Sequence, residues 1–486
     1  MNQAIRNSWV VAIVLFALVF GSITYVQFFA VDDLKNNALN SRGLIQQFCN
    51  DRGSILVGGQ PIAESVPSTD KCKFQRVYNQ PELYAGLTGF FSQAYGQYGI
   101  EKAENPQLTG ETPGAFYDRV VSLLSGAQPK GRSVELTIDP TIQQMAYDMI
   151  PDGQKGSIVV MNPKTGAIIA MVSKPSYDTN LLASHNFAAV TENYNKLLGI
   201  DGINMFGSSA YTKLYSPGSV FKLVDTAAAL ASGKYTKDSV LPNPPALSFA
   251  GTDATLPNYV NGGCAANSEA DFSFVLEQSC NTPFAQIALD LGQNAITDQA
   301  NKFGFSDNSL FIPDQVTASK FPGSKGQLGP AELARSAVGQ QDVQATPLQI
   351  AMMTAAIANG GTQMKPNMVK TIRTPDLKPV QELTPQVLRQ STTREIAAQM
   401  TQWMTNVVDK GIAHAASVPG IEVAGKTGTA EGIPGVVNNN AWFTGFAPAQ
   451  DPQVVVSIVM ANVDIATGAQ LTSPNASKLI EAVLNK

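Results

Sequence analysis

The sequence places a serine three residues before a lysine, at Ser219 and Lys222, in a setting suited to chemistry. Pro217 and Gly218 precede the serine, and the small and apolar residues that follow predict a turn leading into a helix. Residues three apart on a helix share a face, so the lysine amine lies above the serine hydroxyl. A serine nucleophile needs a base, and a lysine of pKa ~10.4 serves only if burial and a second cation lower its pKa by about three units. If this pair is catalytic, the serine would be the nucleophile and the lysine its base, with a second lysine expected nearby; the spacing by itself is weak evidence.

Short motifs of this kind recur, and their surroundings separate the copies. Ser68-Thr-Asp-Lys71 lies in a polar loop without a helical pattern. Lys-Thr-Gly occurs at 164–166, as ordinary turn chemistry, and at 426–428, where it opens a predicted strand. Ser-x-Asn begins at Ser184, Ser279, Ser306 and Ser473. The copy at 279–281 lies in a break between two helical segments, where polar side chains can face a cleft, although Ser279 taken alone also suits a helix cap.

Composition excludes several classes of protein. Charged residues make up 15% of the 486 residues and apolar residues 44%, which excludes charge-driven disorder, a coiled coil and collagen. The formal charge of -5 offers no basic excess, so no nucleic-acid partner is predicted. The only histidines are His185 and His414, which makes a three-histidine zinc site impossible. We predict no metal and no cofactor.

An uncharged, largely apolar segment follows Arg6 and predicts a membrane anchor at 8–31. As a helix it reaches roughly 30 Å, enough to cross a bilayer. A cleavable signal peptide is the competing interpretation, but the run exceeds the usual about 7 to 15 residues and no A-x-A site follows. Arg6 before the span and Asp32 and Asp33 after it predict a cytoplasmic tail at 1–7, with the rest of the chain outside.

The four cysteines form two pairs that are close in sequence, Cys49 with Cys72 and Cys264 with Cys280. An oxidising exterior favours these local pairs as disulfides, and four buried thiols are the alternative.

The remaining patterns predict an α+β protein. Residues 32–150 form a small irregular domain, with a helix at 33–48, a turn-rich stretch at 58–70, a strand at 133–138 and a helix from 140. From 156 the chain forms a hairpin, 158–161 with 167–172. Near its end there are three strands, one in the residues after Gly425 and the others at 441–446 and 454–460, and a helix at 473–484. Helical patterns at 221–230, 273–291 and 348–358 lie between them, so strands from both ends join in one sheet.

Three motifs in chain order, Ser219-x-x-Lys222, Ser279-x-Asn281 and Lys426-Thr427-Gly428, form a set typical of penicillin-binding proteins and serine β-lactamases. The chain resembles a class B penicillin-binding protein, most closely the short actinobacterial type, over nearly its whole length. Further segments carry this resemblance: Asp51-Arg52-Gly53-Ser54-Ile55, Tyr98-Gly99-Ile100-Glu101, Leu108-Thr109-Gly110, Leu136-Thr137-Ile138-Asp139, Thr346-Pro347-Leu348-Gln349 and Ala441-Trp442-Phe443-Thr444-Gly445.

The resemblance implies a peptidoglycan D,D-transpeptidase that is the target of β-lactams. It implies a small α+β pedestal at 32–150 and, at 151–486, a transpeptidase domain whose central antiparallel sheet is flanked by helices, as in serine β-lactamases. Its partners would be stem peptides, a D-Ala-D-Ala donor and an amine acceptor, together with proteins of wall synthesis or division.

The resemblance also implies residue roles. Ser219 would attack the penultimate peptide carbonyl, with Lys222 as base and Ser279 and Lys426 as a proton relay to the leaving D-Ala. Asn281, Thr427, Gly428 and Thr429 would bind substrate, the threonine hydroxyls holding its carboxylate. The N–H groups of Ser219 and Thr429 would form the oxyanion hole.

One residue departs from the family pattern, because Cys280 stands where the second motif more often has Asp. A bridge from Cys280 to Cys264 would tie the motif loop to the preceding segment.

Other functions stay open from the sequence. A class A β-lactamase would need a deacylating Glu-x-x-Leu-Asn segment, and none lies between 279 and 426. A bifunctional synthase would need a glycosyltransferase domain, for which 32–150 is too short. A D,D-carboxypeptidase and a silent scaffold that recruits wall enzymes are the remaining alternatives.

Overall fold

A computed structural model of the chain describes residues 3–30, 34, 47–112, 130–259, 263–431 and 439–486, and only the backbone of 4, 324 and 325. Its helices are α1 (Gln3–Thr24), α2 (Pro81–Thr88), α3 (Ile100–Ala103), α4 (Asn105–Leu108), α5 (Pro140–Asp148), α6 (Asn180–Ala183), α7 (Phe187–Leu198), α8 (Ser209–Thr212), α9 (Lys222–Ser232), α10 (Phe272–Glu277), α11 (Asn281–Leu291), α12 (Gln293–Lys302), α13 (Pro330–Ala337), α14 (Pro347–Ala358), α15 (Arg394–Asp409), α16 (Ile465–Leu471) and α17 (Ser473–Leu484).

Its strands are β1 (Ile55–Val57), β2 (Gln60–Pro67), β3 (Phe74–Tyr78), β4 (Phe91–Ser92), β5 (Gly96–Gln97), β6 (Ser133–Leu136), β7 (Lys155–Met161), β8 (Ile168–Lys174), β9 (Val240–Pro242), β10 (Ala246–Ser248), β11 (Thr255–Pro257), β12 (Glu269–Asp271), β13 (Thr362–Met364), β14 (Val369–Arg373), β15 (Pro379–Glu382), β16 (Val387–Gln390), β17 (Ala424–Ala430), β18 (Asn439–Ala447) and β19 (Val454–Val463).

The N-terminal apolar segment is one helix, α1, which continues as a π-helical turn at Tyr25–Phe29. The span Ile5–Phe29 is 25 residues long with a mean hydropathy of 2.4, and none of it is buried against the rest of the protein. It therefore has the length and composition of a membrane anchor. The helix predicted at 33–48 falls largely outside the described residues.

A six-stranded sheet, in the order β15-β14-β6-β1-β2-β3, forms the core of the pedestal. β1 and β6 are parallel, with Ile55 opposite Val134, and the other pairs are antiparallel. The turn-rich interpretation of 58–70 is wrong for β2, because its residues pair with β1 and β3 and bury Ile62 and Ala63. β14 and β15 come from far along the chain, so the pedestal sheet is not built from 32–150 alone.

The second sheet is antiparallel in the order β17-β18-β19-β7-β8, so strands from both ends of the 151–486 region lie side by side. The predicted hairpin, the three late strands and the closing helix are all present. Helices cover both faces: the Thr444 hydroxyl meets Thr354 of α14, whereas Ala441, of opposite parity on β18, packs under Gly468 of α16. The α+β fold is confirmed.

Capping residues explain where the helices around this sheet begin. The Asp139 side chain accepts hydrogen bonds from the N–H groups of Thr141 and Ile142, and Pro140 occupies the first position of α5. α5 then packs on β8, so a helix from before residue 151 covers the sheet of the later region. The predicted boundary at 150 therefore cuts between α5 and the sheet on which it lies.

Candidate active site

Ser219 lies in a short 3₁₀ turn, Gly218–Phe221, that leads directly into α9. Gly218 has a φ of 53°, and a Cβ atom at that position would lie 2.5 Å from the carbonyl oxygen of Thr429. Its N–H donates to the carbonyl oxygen of Gly339 at 3.0 Å. Only glycine tolerates both this backbone conformation and the close approach of β17, so it sets the serine against the edge of the sheet.

Lys222, one turn along, is fully buried at 0% exposure. Its Nζ atom donates to the Ser279 carbonyl oxygen at 2.7 Å, to Ser279 Oγ at 3.3 Å and to Asn281 Oδ1 at 2.8 Å. Among the described residues, the Ser219 hydroxyl itself makes no hydrogen bond, which leaves it free to engage a substrate. Hydrogen bonds between nucleophile and base in unliganded sites often form only once substrate is bound.

Ser279 and Asn281 occupy the break between α10 and α11. Ser279 has a φ of 59°, a left-handed conformation that is strained for a residue with a side chain and that clusters at functional sites. The backbone is held by bonds on both sides: Cys280 N–H donates to Val275 at 2.9 Å, and Asn281 N–H to Asn258 Oδ1 at 2.7 Å. Cys280 is also bonded to Cys264 as a disulfide, with the Cα atoms 5.6 Å apart.

Lys426 lies on β17, the edge strand of the five-stranded sheet, and is also 0% exposed. Its Nζ atom donates to Ser279 Oγ at 2.8 Å and to the Thr427 carbonyl oxygen at 3.0 Å. Gly428 faces the 3₁₀ turn, where a Cβ atom would lie 2.6 Å from the Pro217 carbonyl oxygen. Thr427 is half-buried and Thr429 exposed.

The electrostatics of the site follow from burying two lysines together. Burial lowers the pKa of Lys426 to about 7. Burial, and then the charge of Lys426, lower the pKa of Lys222 well below its ordinary value, with Asp225 acting in the opposite direction. Lys426 can therefore exist as a free base near neutrality, and the same burial favours the free-base form of Lys222, which a proton acceptor requires.

The structure brings the three motifs together. Lys222, Ser279, Asn281 and Lys426 are joined by direct hydrogen bonds, and Thr427 accepts one from Lys426. The other copies have other surroundings. Lys164 lies in the turn between β7 and β8 and pairs with Asp451, and Ser68 N–H donates to the Lys73 carbonyl oxygen in the turn between β2 and β3.

Sequence reasoning missed two residues next to these motifs. Asn258 accepts hydrogen bonds from the N–H groups of Asn281 and Thr282 and so fixes the start of α11; no local pattern marks it. Asp225 lies three residues after Lys222 and is fully buried. The sequence does mark Asp225, because it is the one carboxyl group in a run of small and apolar residues from 223 to 230.

Comparisons with known proteins agree with this geometry. Residues 156–481 match the family model of the penicillin-binding protein transpeptidase domain, and residues 52–134 match that of the penicillin-binding protein A dimerisation domain. Two similar proteins are named peptidoglycan D,D-transpeptidase PbpA. The one from Mycobacterium tuberculosis is 36% identical over 100% of this chain and 99% of its own, and the one from Mycolicibacterium smegmatis is 35% identical over 100% of both.

Solved structures show the same likeness. The crystal structure of PBPA from M. tuberculosis superposes with a TM-score of 0.83 at 36% identity, covering 90% of this chain and 99% of that one. Its ceftriaxone acyl-enzyme complex has a TM-score of 0.84 at 35% identity, over 90% and 100% of the two chains. The chain belongs to the class B penicillin-binding proteins and is a peptidoglycan D,D-transpeptidase that binds β-lactams.

Proposed function

We propose that Ser219 is the nucleophile of this transpeptidase and that Lys222 is its base. Ser219 Oγ attacks the penultimate carbonyl of a D-Ala-D-Ala stem while Lys222 takes its proton. The bond to the terminal D-Ala then breaks, its amine leaves with a proton supplied through Ser279, and an acceptor amine resolves the acyl-enzyme that remains. The observation that carries this proposal is the position of Ser279 Oγ, within 3.3 Å of Lys222 Nζ and 2.8 Å of Lys426 Nζ. A hydroxyl between two amines can pass a proton from one to the other, toward the leaving group.

Substrate binding would use the edge of β17 and the α10–α11 break. An edge strand offers backbone groups to an extended peptide, and Thr427 and Thr429 lie on its accessible side. Gly428 allows the strand to approach the 3₁₀ turn, which supports an oxyanion hole made from the N–H groups of Ser219 and Thr429. The Asn281 side chain accepts a hydrogen bond from Lys222 and donates one to the Pro257 carbonyl oxygen. With substrate bound, it would hold the substrate amide.

The position of the catalytic domain relative to the membrane is part of the proposal. We infer a cytoplasmic tail at 1–7, a single span at 8–31, a pedestal at 32–150 and a transpeptidase domain at 151–486 outside the cell membrane. Three observations support this topology. The helix Ile5–Phe29 is apolar, Arg6 lies at its N-terminal end, and peptidoglycan lies outside the cytoplasm. Partner proteins of wall synthesis or division would bind the pedestal.

The nucleophile is tested by labelling the full-length protein with a fluorescent penicillin and mapping the adduct by mass spectrometry. We expect a long-lived adduct on Ser219 that Ser219→Ala abolishes. Ser232→Ala, an exposed serine at the far end of α9, is the matched control and retains labelling. An adduct on another residue contradicts the proposal, and rapid loss of the adduct would indicate a β-lactamase.

The topology is tested by fusing alkaline phosphatase, which is active only outside the cytoplasm, to the C-terminus. We expect activity from the full-length fusion and none from a fusion that lacks residues 8–31. An inactive full-length fusion that is present at normal levels contradicts the orientation.

A further inference from the structure

A buried carboxyl group lies one helical turn beyond Lys222, and the proposed mechanism does not use it. Asp225 is 0% exposed, and within the described residues neither of its carboxyl oxygens makes a hydrogen bond. Burying an ionised carboxylate without hydrogen bonds is costly, so a core retains one only where a nearby charge compensates it or where it is protonated. The surroundings of Asp225 identify the compensating charge.

Lys222 is the cation that acts on Asp225. The two residues are three apart on α9 and therefore on one side of the helix, both at 0% exposure. The 3₁₀ turn, α11, α12 and α15 pack against α9. The turn has no charged residue, and the charged residues of the three helices are exposed: Asp290, Asp298, Lys302, Arg394, Glu395 and Asp409. Lys426 on β17 is the second buried cation and acts on Lys222.

Burial and the charge of the other residue act in opposite directions on the pKa values of Asp225 and Lys222. Burial raises the pKa of Asp225 well above its ordinary value, and Lys222 acts against that shift. In turn Asp225 favours the protonated form of Lys222, against burial and Lys426. A base that is too weak does not take the serine proton, so a buried anion beside it has a catalytic consequence.

We propose that the Asp225 carboxylate is the counter-charge for the ammonium group that forms on Lys222 during acylation, which makes Asp225 a positioning residue of this enzyme. The inference rests on the proposed role of Lys222 as base. In that step the Ser219 O–H bond breaks, its proton binds the nitrogen lone pair of Lys222, and the freed electron pair on Oγ forms the bond to the substrate carbonyl carbon. A positive charge then appears on Lys222 near buried Lys426. The Asp225 carboxylate, three residues further along the same helix, stabilises that charge.

The test is Asp225→Asn in the full-length protein, with the second-order rate constant of acylation by fluorescent penicillin measured as a function of pH. Removing the anion lowers the pKa of Lys222, so we expect the acidic limb of the profile to move to lower pH by about one unit. A less basic amine is also a slower base, so the rate on the plateau falls about ten-fold. An acidic limb that stays at the wild-type pH overturns the inference.

Control variants separate this effect from a structural one. Thr226→Ala removes the next buried side chain, whose hydroxyl donates to the Lys222 carbonyl oxygen at 2.7 Å, and we expect it to lower the melting temperature without moving the limb. Asp225→Glu keeps the charge and returns the limb toward its wild-type pH. Asp225→Asn removes no hydrogen bond, and its melting temperature is measured beside the rate to separate a folding defect from the shift of the limb; if it does not fold, Asp225→Ser carries the same test.

Adduct mapping on the same samples distinguishes the two proposals. An adduct on Ser219 together with an unmoved acidic limb overturns the role of Asp225 and leaves the nucleophile intact. An adduct on another residue overturns the proposed function itself.

Discussion

The pedestal and the catalytic centre each contain a cluster of three buried charged side chains, but the two clusters are arranged in opposite ways. In the pedestal, the Glu101 carboxylate lies between two guanidinium groups, 2.5 Å from Arg52 Nε and 2.7 Å from Arg76 Nε. Tyr78 also donates to it at 3.1 Å. In the catalytic centre, two lysines bond to the same serine hydroxyl, and Asp225 makes no hydrogen bond within the described residues.

The pKa directions show the consequence of the two arrangements. Burial acts to raise the pKa of Glu101, but Arg76 and Arg52 together hold it below its ordinary value, so the pedestal cluster stays charged. Burial lowers the pKa of Lys426 to about 7, so the catalytic cluster exchanges protons near neutrality. A buried charge that is bonded to groups of opposite charge stays ionised and stabilises the structure. A buried charge without such a bond exchanges its proton more easily and is available for chemistry.

Lys222→Met gives the largest expected effect, because it removes the base. We expect acylation by penicillin to slow roughly 10³-fold, within the range for loss of a general base. The melting temperature should also fall, because the Ser279 carbonyl oxygen and Asn281 Oδ1 lose their donor, so the rate is measured on the folded fraction. Lys71→Met, which alters the lysine of the other Ser-x-x-Lys copy, is the control, and this variant should be acylated at the wild-type rate. A normal rate in Lys222→Met contradicts the assignment.

Glu101→Gln tests the pedestal side of the comparison. It leaves two buried guanidinium groups without their carboxylate, and we expect the free energy of unfolding to fall by about 3 to 5 kcal/mol. The folded fraction should acylate at the wild-type rate. Glu192→Gln breaks the exposed pair with Lys196 and should leave the free energy of unfolding nearly unchanged. Chemical denaturation measures both, and equal costs would refute the contrast.

The two disulfides provide a matched pair of variants. Cys264 and Cys280 are separated by 16 residues and Cys49 and Cys72 by 23, so replacing either pair with serine should cost a similar amount, about 3 kcal/mol. Acylation should slow, by about ten-fold, only without the Cys264–Cys280 bridge, because that bridge holds the backbone next to Ser279. Equal acylation rates in the two double variants would show that the bridge does not support the motif.

The pH dependence of stability should differ between the two clusters. Between a pKa of about 7 in the folded protein and the ordinary 10.5, the unfolded chain binds the Lys426 proton and the folded chain does not. Stability therefore rises with pH in this window, by about 1 kcal/mol per unit, and Lys426→Met loses that rise. Lys164→Met, in the other Lys-Thr-Gly copy, should retain it. Glu101 also has a lowered pKa, so its slope has the same sign but lies at lower pH: its stabilisation is complete above the ordinary carboxyl pKa and is lost as pH falls through its lowered value.

Denaturation with urea over a series of pH values measures these slopes. The same slope in wild type and Lys426→Met would mean that Lys426 is not deprotonated by burial.

Much of the fold was predictable because it depends on local signals. Asp139-Pro140 marks the start of α5, and the apolar runs on either side of 162–166 mark the hairpin of β7 and β8. Local signals failed for β2, which has exposed, intermediate and buried residues in irregular order. Its strand conformation depends on pairing with β1 and β3, which its own residues do not encode strongly.

For the site, the sequence determined which residue types are present and in what order, because three spaced motifs identify a family without knowledge of the tertiary structure. It could not decide how Lys222 and Lys426 share Ser279, because that hydroxyl is 57 residues from one amine and 147 from the other. Nor could it show that Asp225 lacks a hydrogen-bond partner or that β14 and β15 complete the pedestal sheet. Helix caps, turns and apolar runs act over a few neighbouring residues, whereas burial, and with it the pKa of each amine, depends on segments that only folding brings together.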